Sequence, residues 1–286
     1  MYLLSYFRTA AEALHLATSP DGFEWTALND NDPVLAGGVG TGTLRDPFLF
    51  RDAEDTYHLL ATNGWASDHV VHATSGDLRS WSDQELLPVM ADVRGTHNSW
   101  APECFYDREA DVYRLVWSAT VDPSIESADG EEDYDHRIWT CSTPDFERFS
   151  ASSCLFDPSY NVIDATVAYD DGDYLMAFKD ERGPTSMDAE YKSIRLARAP
   201  SGGGPFRDVT EFVTPAPVEG PTLYRADGEW RMLYDHFLED YYGASRSADG
   251  REWETCTDRL TTPDDVRHGS VIEIPDDLGA ELRAAY

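Results

Sequence analysis

A strand that runs into the same tight turn recurs five times along this 286-residue chain. The unit reads EALHLATSPDGFEW at 12–25, DHVVHATSGDLRSW at 68–81 and HRIWTCSTPDFERF at 136–149. It returns as KSIRLARAPSGGGPF at 192–206 and YYGASRSADGREW at 241–253. Its closing aromatics, Trp25, Trp81, Phe149, Phe206 and Trp253, stand 56, 68, 57 and 47 residues apart. One small sheet cannot bury both of its faces alone, so strand-built repeats of this length stack side by side into a β-propeller. The Ser, Asp and Gly positions form the turn and the aromatic packs between blades, which makes the five units architecture.

A second set of segments interleaves with the first. RDPFLFRDAEDTYHLLAT starts at 45, APECFYDREADVYRLVWSA at 101, IDATVAYDDGDYLMAFKDE at 163 and EGPTLYRADGEWRMLYDH at 219. Each is an apolar strand, a turn rich in Asp or Gly and a second alternating strand, the pattern of a β-hairpin. Hairpin plus turn strand gives at least three strands per blade. The fifth hairpin, RHGSVIEIPDD from 267, lacks its second strand, and YLLSYF at 2–7 is available at the other terminus. The expectation is an all-β, five-bladed β-propeller spanning 1–286 as one domain, its ring closed by N-terminal strands that complete the last blade and remove exposed sheet edges.

Composition narrows the partners. The chain holds 54 Asp and Glu against 22 Lys and Arg, for a net charge of −32, and only Lys179 and Lys192 are lysines. Phosphate and anionic membranes need cations that are scarce here, so nucleic-acid and membrane partners are excluded. The acids are spread along the whole chain, as on a solvated surface suited to concentrated salt. With no apolar run long enough for a membrane span and no leader-like start, the expectation is a cytoplasmic protein of a high-salt cytosol. Cys104, Cys141, Cys154 and Cys256 lack metal-type spacing and are expected to be buried thiols.

Inner strands of a propeller line a central channel. The sequence places Asp46, Glu103, Asp164, Glu219 and His268 in one shared register at the entry ends of the five inner strands, 57, 61, 55 and 49 residues apart. Buried like charges repel, so four acids and a histidine on one axis point to function or a bound cation.

In this ordered set, RDPFLF, SWAPECFYD, VIDATV, FKDE, VEGPTLY and RHGSVIEI, the chain resembles glycoside hydrolase family 43, five-bladed propellers that release arabinose or xylose with inversion. The resemblance covers essentially the whole chain. It implies Asp46 as general base, Glu219 as general acid and Asp164 as the aspartate that raises the pKa of Glu219 and orients the sugar. Inverting hydrolysis sets an ionised and a protonated carboxyl on opposite faces of the scissile bond, roughly 6.5–9.5 Å apart. No cofactor is required. His268 matches a position that contacts a channel calcium through water, since calcium itself takes oxygen ligands.

Around these acids, Trp100 and Trp65 are candidates for stacking on a sugar, and Glu103 for orienting its neighbours. Arg45 and Arg267 are candidates for hydrogen bonds to sugar hydroxyls. The loops 121–137 and 181–191 are candidates to rim the pocket. Two other functions stay open at this stage: a glycoside phosphorylase, which needs a cluster of cations for phosphate, and a catalytically silent carbohydrate-binding propeller.

Overall fold

The computed structural model describes residues 1–122, 134–183 and 191–286. Among these described residues, nineteen strands form five antiparallel sheets. The chain begins with β1 (Tyr2–Arg8), β2 (Ala11–Ser19) and β3 (Thr26–Ala27). Blade one follows as β4 (Arg45–Arg51), β5 (Tyr57–Thr62), β6 (Val70–Ser75) and β7 (Glu85–Leu87). Blade two is β8 (Trp100–Asp107), β9 (Val112–Ala119), β10 (Arg137–Thr143) and β11 (Ser153–Phe156). Blade three has three strands, β12 (Val162–Asp170), β13 (Asp173–Asp180) and β14 (Ser193–Ala199). Blade four is β15 (Glu219–Ala226), β16 (Glu229–His236), β17 (Tyr241–Ser247) and β18 (Glu254–Thr255). The last strand, β19 (Arg267–Glu273), pairs with β1, giving blade five the order β19-β1-β2-β3. Both termini therefore share one sheet, and the ring closes as the sequence predicts.

Each junction between neighbouring blades holds one apolar cluster. Side chains alternate across every strand, so a strand with both sheet faces covered feeds two clusters at once. On β5, Leu59 and Ala61 face blade five while Leu60 faces blade two. On β1, Leu3 packs toward blade one, and Leu4 and Tyr6 pack toward blade four. Leu14, Leu16, Leu44 and Leu59 are fully buried, each contributing about 1.5–3 kcal/mol relative to exposure.

The repeated turns are alike down to their hydrogen bonds. In blade five, Ser19 Oγ accepts from Gly22 N at 2.8 Å and Asp21 Oδ1 accepts from Phe23 N at 2.8 Å and Glu24 N at 3.0 Å. Ser75 with Asp77, Thr143 with Asp145, and Ser247 with Asp249 repeat the pattern. Blade three departs, because Ala199 stands where the others have Ser or Thr and Ser201 where they have aspartate. Trp25 closes its turn against Tyr224 and Leu233 of blade four, as a packing residue between blades should.

Two features differ from expectation. Cys154 is exposed, although the other three thiols are buried. The chain ends in a helix, α1 (Asp276–Ala285), where no helix is expected. Asp276 and Asp277 in its first turn suit the positive end of the helix dipole, and Leu278 and Leu282 on one side pack with Met1 and Ile274 onto the cluster between blades five and one. Among the described residues no helix is long and apolar enough to cross a membrane.

Candidate active site

Each inner strand carries the same defect near its entry end. Arg45 pairs with Thr62 and Phe48 with Leu60, so two residues on β4 oppose one on β5. The same two-against-one bulge lies between Trp100 and Glu103, Ile163 and Thr166, Glu219 and Thr222, and Arg267 and Ser270. A bulge re-aims the side chain beside it. Asp46 and Asp164 hold φ of 49° and 56° there, a left-handed backbone that aspartate tolerates better than most residues.

The bulges correct the sequence reading of one shared register. Asp46, Asp164 and His268 do occupy equivalent bulge positions. Glu219 sits one residue earlier and Glu103 two residues later, level with Phe48 and Thr166. Asp46, Asp164, Glu219 and His268 line one pocket, open to solvent, at the mouth of the channel. Glu103 does not line it and is buried below the floor.

Asp46 is fixed from two sides. Thr62 Oγ1 donates to Asp46 Oδ2 at 2.7 Å while accepting from Ala101 N at 2.8 Å, so the single hydroxyl proton of Thr62 is committed to the carboxylate. His268 Nδ1 stands 3.4 Å from Asp46 Oδ1 and 3.9 Å from Asp164 Oδ2. Burial pulls the pKa of His268 down, but Asp164, Asp46, Glu219 and Glu103 outweigh it, raise the pKa and favour an imidazolium. Asp164 is 7 % exposed, its Oδ2 accepting from Gly220 N at 3.1 Å. Burial, with the charges of Glu219 and Asp46, lifts it to about 6 against the opposing pull of His268 and Lys179.

Glu219 behaves otherwise than the sequence predicts. Burial raises its pKa, but Lys179 Nζ donates to Oε2 at 2.9 Å and Arg267 stands 3.7 Å from Oε1. The cations prevail and hold the carboxyl below its usual range. Asp164 was expected to raise Glu219. The effect runs the other way, and Asp164 is the group that is raised. Glu103 is pushed to about 8 by burial, opposed by its hydrogen bond with Thr166, so it is a neutral acid at pH 7.

The other candidates divide. Trp100 and Trp65 both line the pocket. Trp100 Nε1 donates to Trp65 O at 2.9 Å, the rings meet edge-on at 5.4 Å, and Trp65 is 53 % exposed, an open aromatic face at the rim. Arg45 lines the pocket but is held by Glu12 at 2.6 Å and lies over Phe7 and Trp65. Arg267 does not line it, contrary to expectation, because its Nε donates to Asp235 Oδ2 at 2.7 Å. Most of the 121–137 and 181–191 loops lies outside the described residues, although His136 and Glu181 at their ends line the pocket.

Sequence reasoning missed Lys179 and Asp235. Both stand opposite a bulge on the second hairpin strand, Lys179 facing Ile163 and Asp235 facing Glu219. Counting back across each hairpin turn from the inner strand would have found them. Asp235 is fully buried, and burial with the charge of Glu219 raises it to about 7, Arg267 opposing. Among the described residues no cluster of three or more His, Cys, Asp or Glu is arranged to hold a metal ion. The channel hydroxyls of Ser5 and Ser270 already bond to each other at 2.9 Å, and Ser5 donates to Pro47 O at 2.6 Å.

Residues 1–277 match the model of a family described as a probable glycosyl hydrolase domain, related to family 43. The chain belongs to that glycoside hydrolase family. An α-L-arabinofuranosidase of Bifidobacterium longum is 28% identical over 63% of this chain and 19% of its own length. A probable arabinan endo-1,5-α-L-arabinosidase A of Aspergillus flavus is 24% identical over 78% of this chain and 67% of its own. The chain thus spans about a fifth of the first relative and two-thirds of the second. A thermostable family-43 glycoside hydrolase superposes with a TM-score of 0.64 at 18% identity, covering 84% of this chain and 82% of that one. A xylan β-1,4-xylosidase from Bacillus halodurans gives 0.61 at 19%, covering 86% and 48%. These structures share the propeller fold with this family member.

Proposed function

We propose that the pocket hydrolyses the glycosidic bond of short arabinosides or xylosides with inversion. Asp46, ionised, takes a proton from a water that attacks the anomeric carbon. Glu219, in the molecules where it rather than Asp164 carries the proton the two share, gives that proton to the departing glycosidic oxygen, and Asp164 beside it tunes that transfer and orients the sugar. The products are the free sugar of inverted configuration and the alcohol. The observation that carries the reading is the pocket itself. Asp46, Asp164 and Glu219 line one cavity from blades one, three and four, each with different partners, and carboxyls in unlike environments can divide acid and base roles. Trp100 and Trp65 supply the stacking surface at its rim.

The activities by which these relatives and structural neighbours are named, on arabinan, arabinofuranosides and xylan, agree with this substrate class. Phosphate has little to bind, since Lys179 and Arg45 in the pocket wall already face Glu219 and Glu12. A calcium ion on the channel axis would meet His268 through water and supply local positive charge, and no step above depends on it. The acidic surface and the scarcity of lysine support work in a salty cytosol.

The test is release of nitrophenol from aryl arabinofuranoside and xyloside in molar salt, with the anomer formed first read by NMR. Cleavage by the wild type, lost in Glu219→Gln, is the expected result. A folded wild type that cleaves neither glycoside overturns the hydrolase reading.

A further inference from the structure

The chain has two lysines, and both are buried in one chain of alternating charge. Lys192 Nζ bonds Glu181 Oε1, Glu181 Oε2 lies 2.7 Å from Lys179 Nζ, and Lys179 Nζ bonds Glu219 Oε2 at 2.9 Å. Beyond Glu219, Arg267 bridges to Asp235 at 2.7 Å. Lys179 is 2 % exposed and sits 4.5 Å from the centre of the Phe237 ring. The groups facing Glu219 are thus Lys179 from β13, Glu181 just beyond it through Lys179, Asp164 from β12, Arg267 and His268 from β19, and Asp235 from β16.

We propose that Lys179 is a positioning residue of the hydrolytic site: its ammonium, shared between Glu219 and Glu181, fixes the Glu219 carboxyl in the pocket and decides whether Glu219 or Asp164 carries their proton. The proposal rests on Glu219 acting as the acid. Glu219 and Asp164 both line the one pocket, and two carboxyls whose charges act on each other share protons as a pair. A cation on one of them alone sends the proton to the other, which agrees with the lowered Glu219 and raised Asp164. Glu181 acts in opposition, because its charge draws part of the Lys179 field away from Glu219. The strength of the acid is then set by a lysine that is poised between two glutamates, one of them at the stem of the 181–191 loop.

The opposed signs make a test that a merely structural role would fail. In Lys179→Met the alkaline limb of the pH profile of kcat/KM moves up by about one pH unit or more, the reach of a close opposite charge. In Glu181→Gln, where Lys179 belongs more fully to Glu219, the limb moves down. A structural role lowers the rate or the melting temperature in both variants and leaves the limb in place, and that result overturns the proposal. A readout without substrate runs in parallel: in protein carrying carboxyl-13C glutamate, the resonance absent from Glu219→Gln titrates at higher pH in Lys179→Met. If the wild type cleaves no glycoside but this resonance moves as stated, the hydrolase reading fails and the lysine assignment stands. If the resonance stays, the assignment fails whatever the activity.

Discussion

Glu103→Gln isolates one buried proton in this fold. Glu103 is 6 % exposed, below the pocket floor, and burial lifts its pKa from 4.5 to about 8. Folded chains therefore hold a proton between these values that unfolded chains release. The native state binds the extra proton, so stability falls as pH rises through the window, at about 1.4 kcal/mol per pH unit. Across the whole window that is about 5 kcal/mol at most, and water penetration brings it nearer 2–4 kcal/mol. Glutamine matches the neutral acid in shape and cannot ionise, so it removes the dependence. Every other titrating group is common to the two proteins. Guanidinium unfolding of wild type and Glu103→Gln at fixed salt, from pH 4.5 to 9, should show the variant gaining stability relative to wild type by about 2–4 kcal/mol by pH 8, most of it above pH 5. A difference that stays flat over that range refutes the reasoning and means that Glu103 is ionised in the fold beside a cation.

Two further outcomes follow from the same structure. Asp77 Oδ1 accepts from Arg79 N at 2.9 Å and Ser80 N at 2.7 Å, so Asp77→Ala should cost about 1–2 kcal/mol and lower the melting temperature by roughly 2–8 °C in a chain of this size; a melt within 1 °C or so of wild type would show the turn bonds to be idle. In the proposed mechanism acid, base and modulator are all protein carboxyls, so EDTA should leave kcat within about twofold, and a far larger loss restored by calcium would give the ion a place in catalysis.

The ring was legible in the chain alone. Alternating strands, hairpin turns with Asp and Gly, and a turn repeated five times are local patterns, and a blade that cannot cover its own faces has few ways to be satisfied. Closure of the last blade by residues 2–7 was also legible, because RHGSVIEI is an inner strand without the second strand of its hairpin and YLLSYF supplies one. Asp46, Asp164, Glu219 and His268 were found for the same reason: each starts an inner strand, and inner strands meet at the axis.

How those residues face one another depends on pairing across strands, which no local pattern records. The two-against-one bulge moved Glu103 beneath the floor and offset Glu219 by one residue from Asp46, which no repeat spacing reveals. Lys179 and Asp235 entered through cross-strand pairing, and Arg267 was drawn away from the pocket by Asp235. The ionisation of Glu219 was reversed for a related reason. Strand pattern is written over a few neighbouring residues, whereas a pKa is set by every charge within several ångströms. For Glu219 those charges come from β13 and β19, 40 and 48 residues away in the chain.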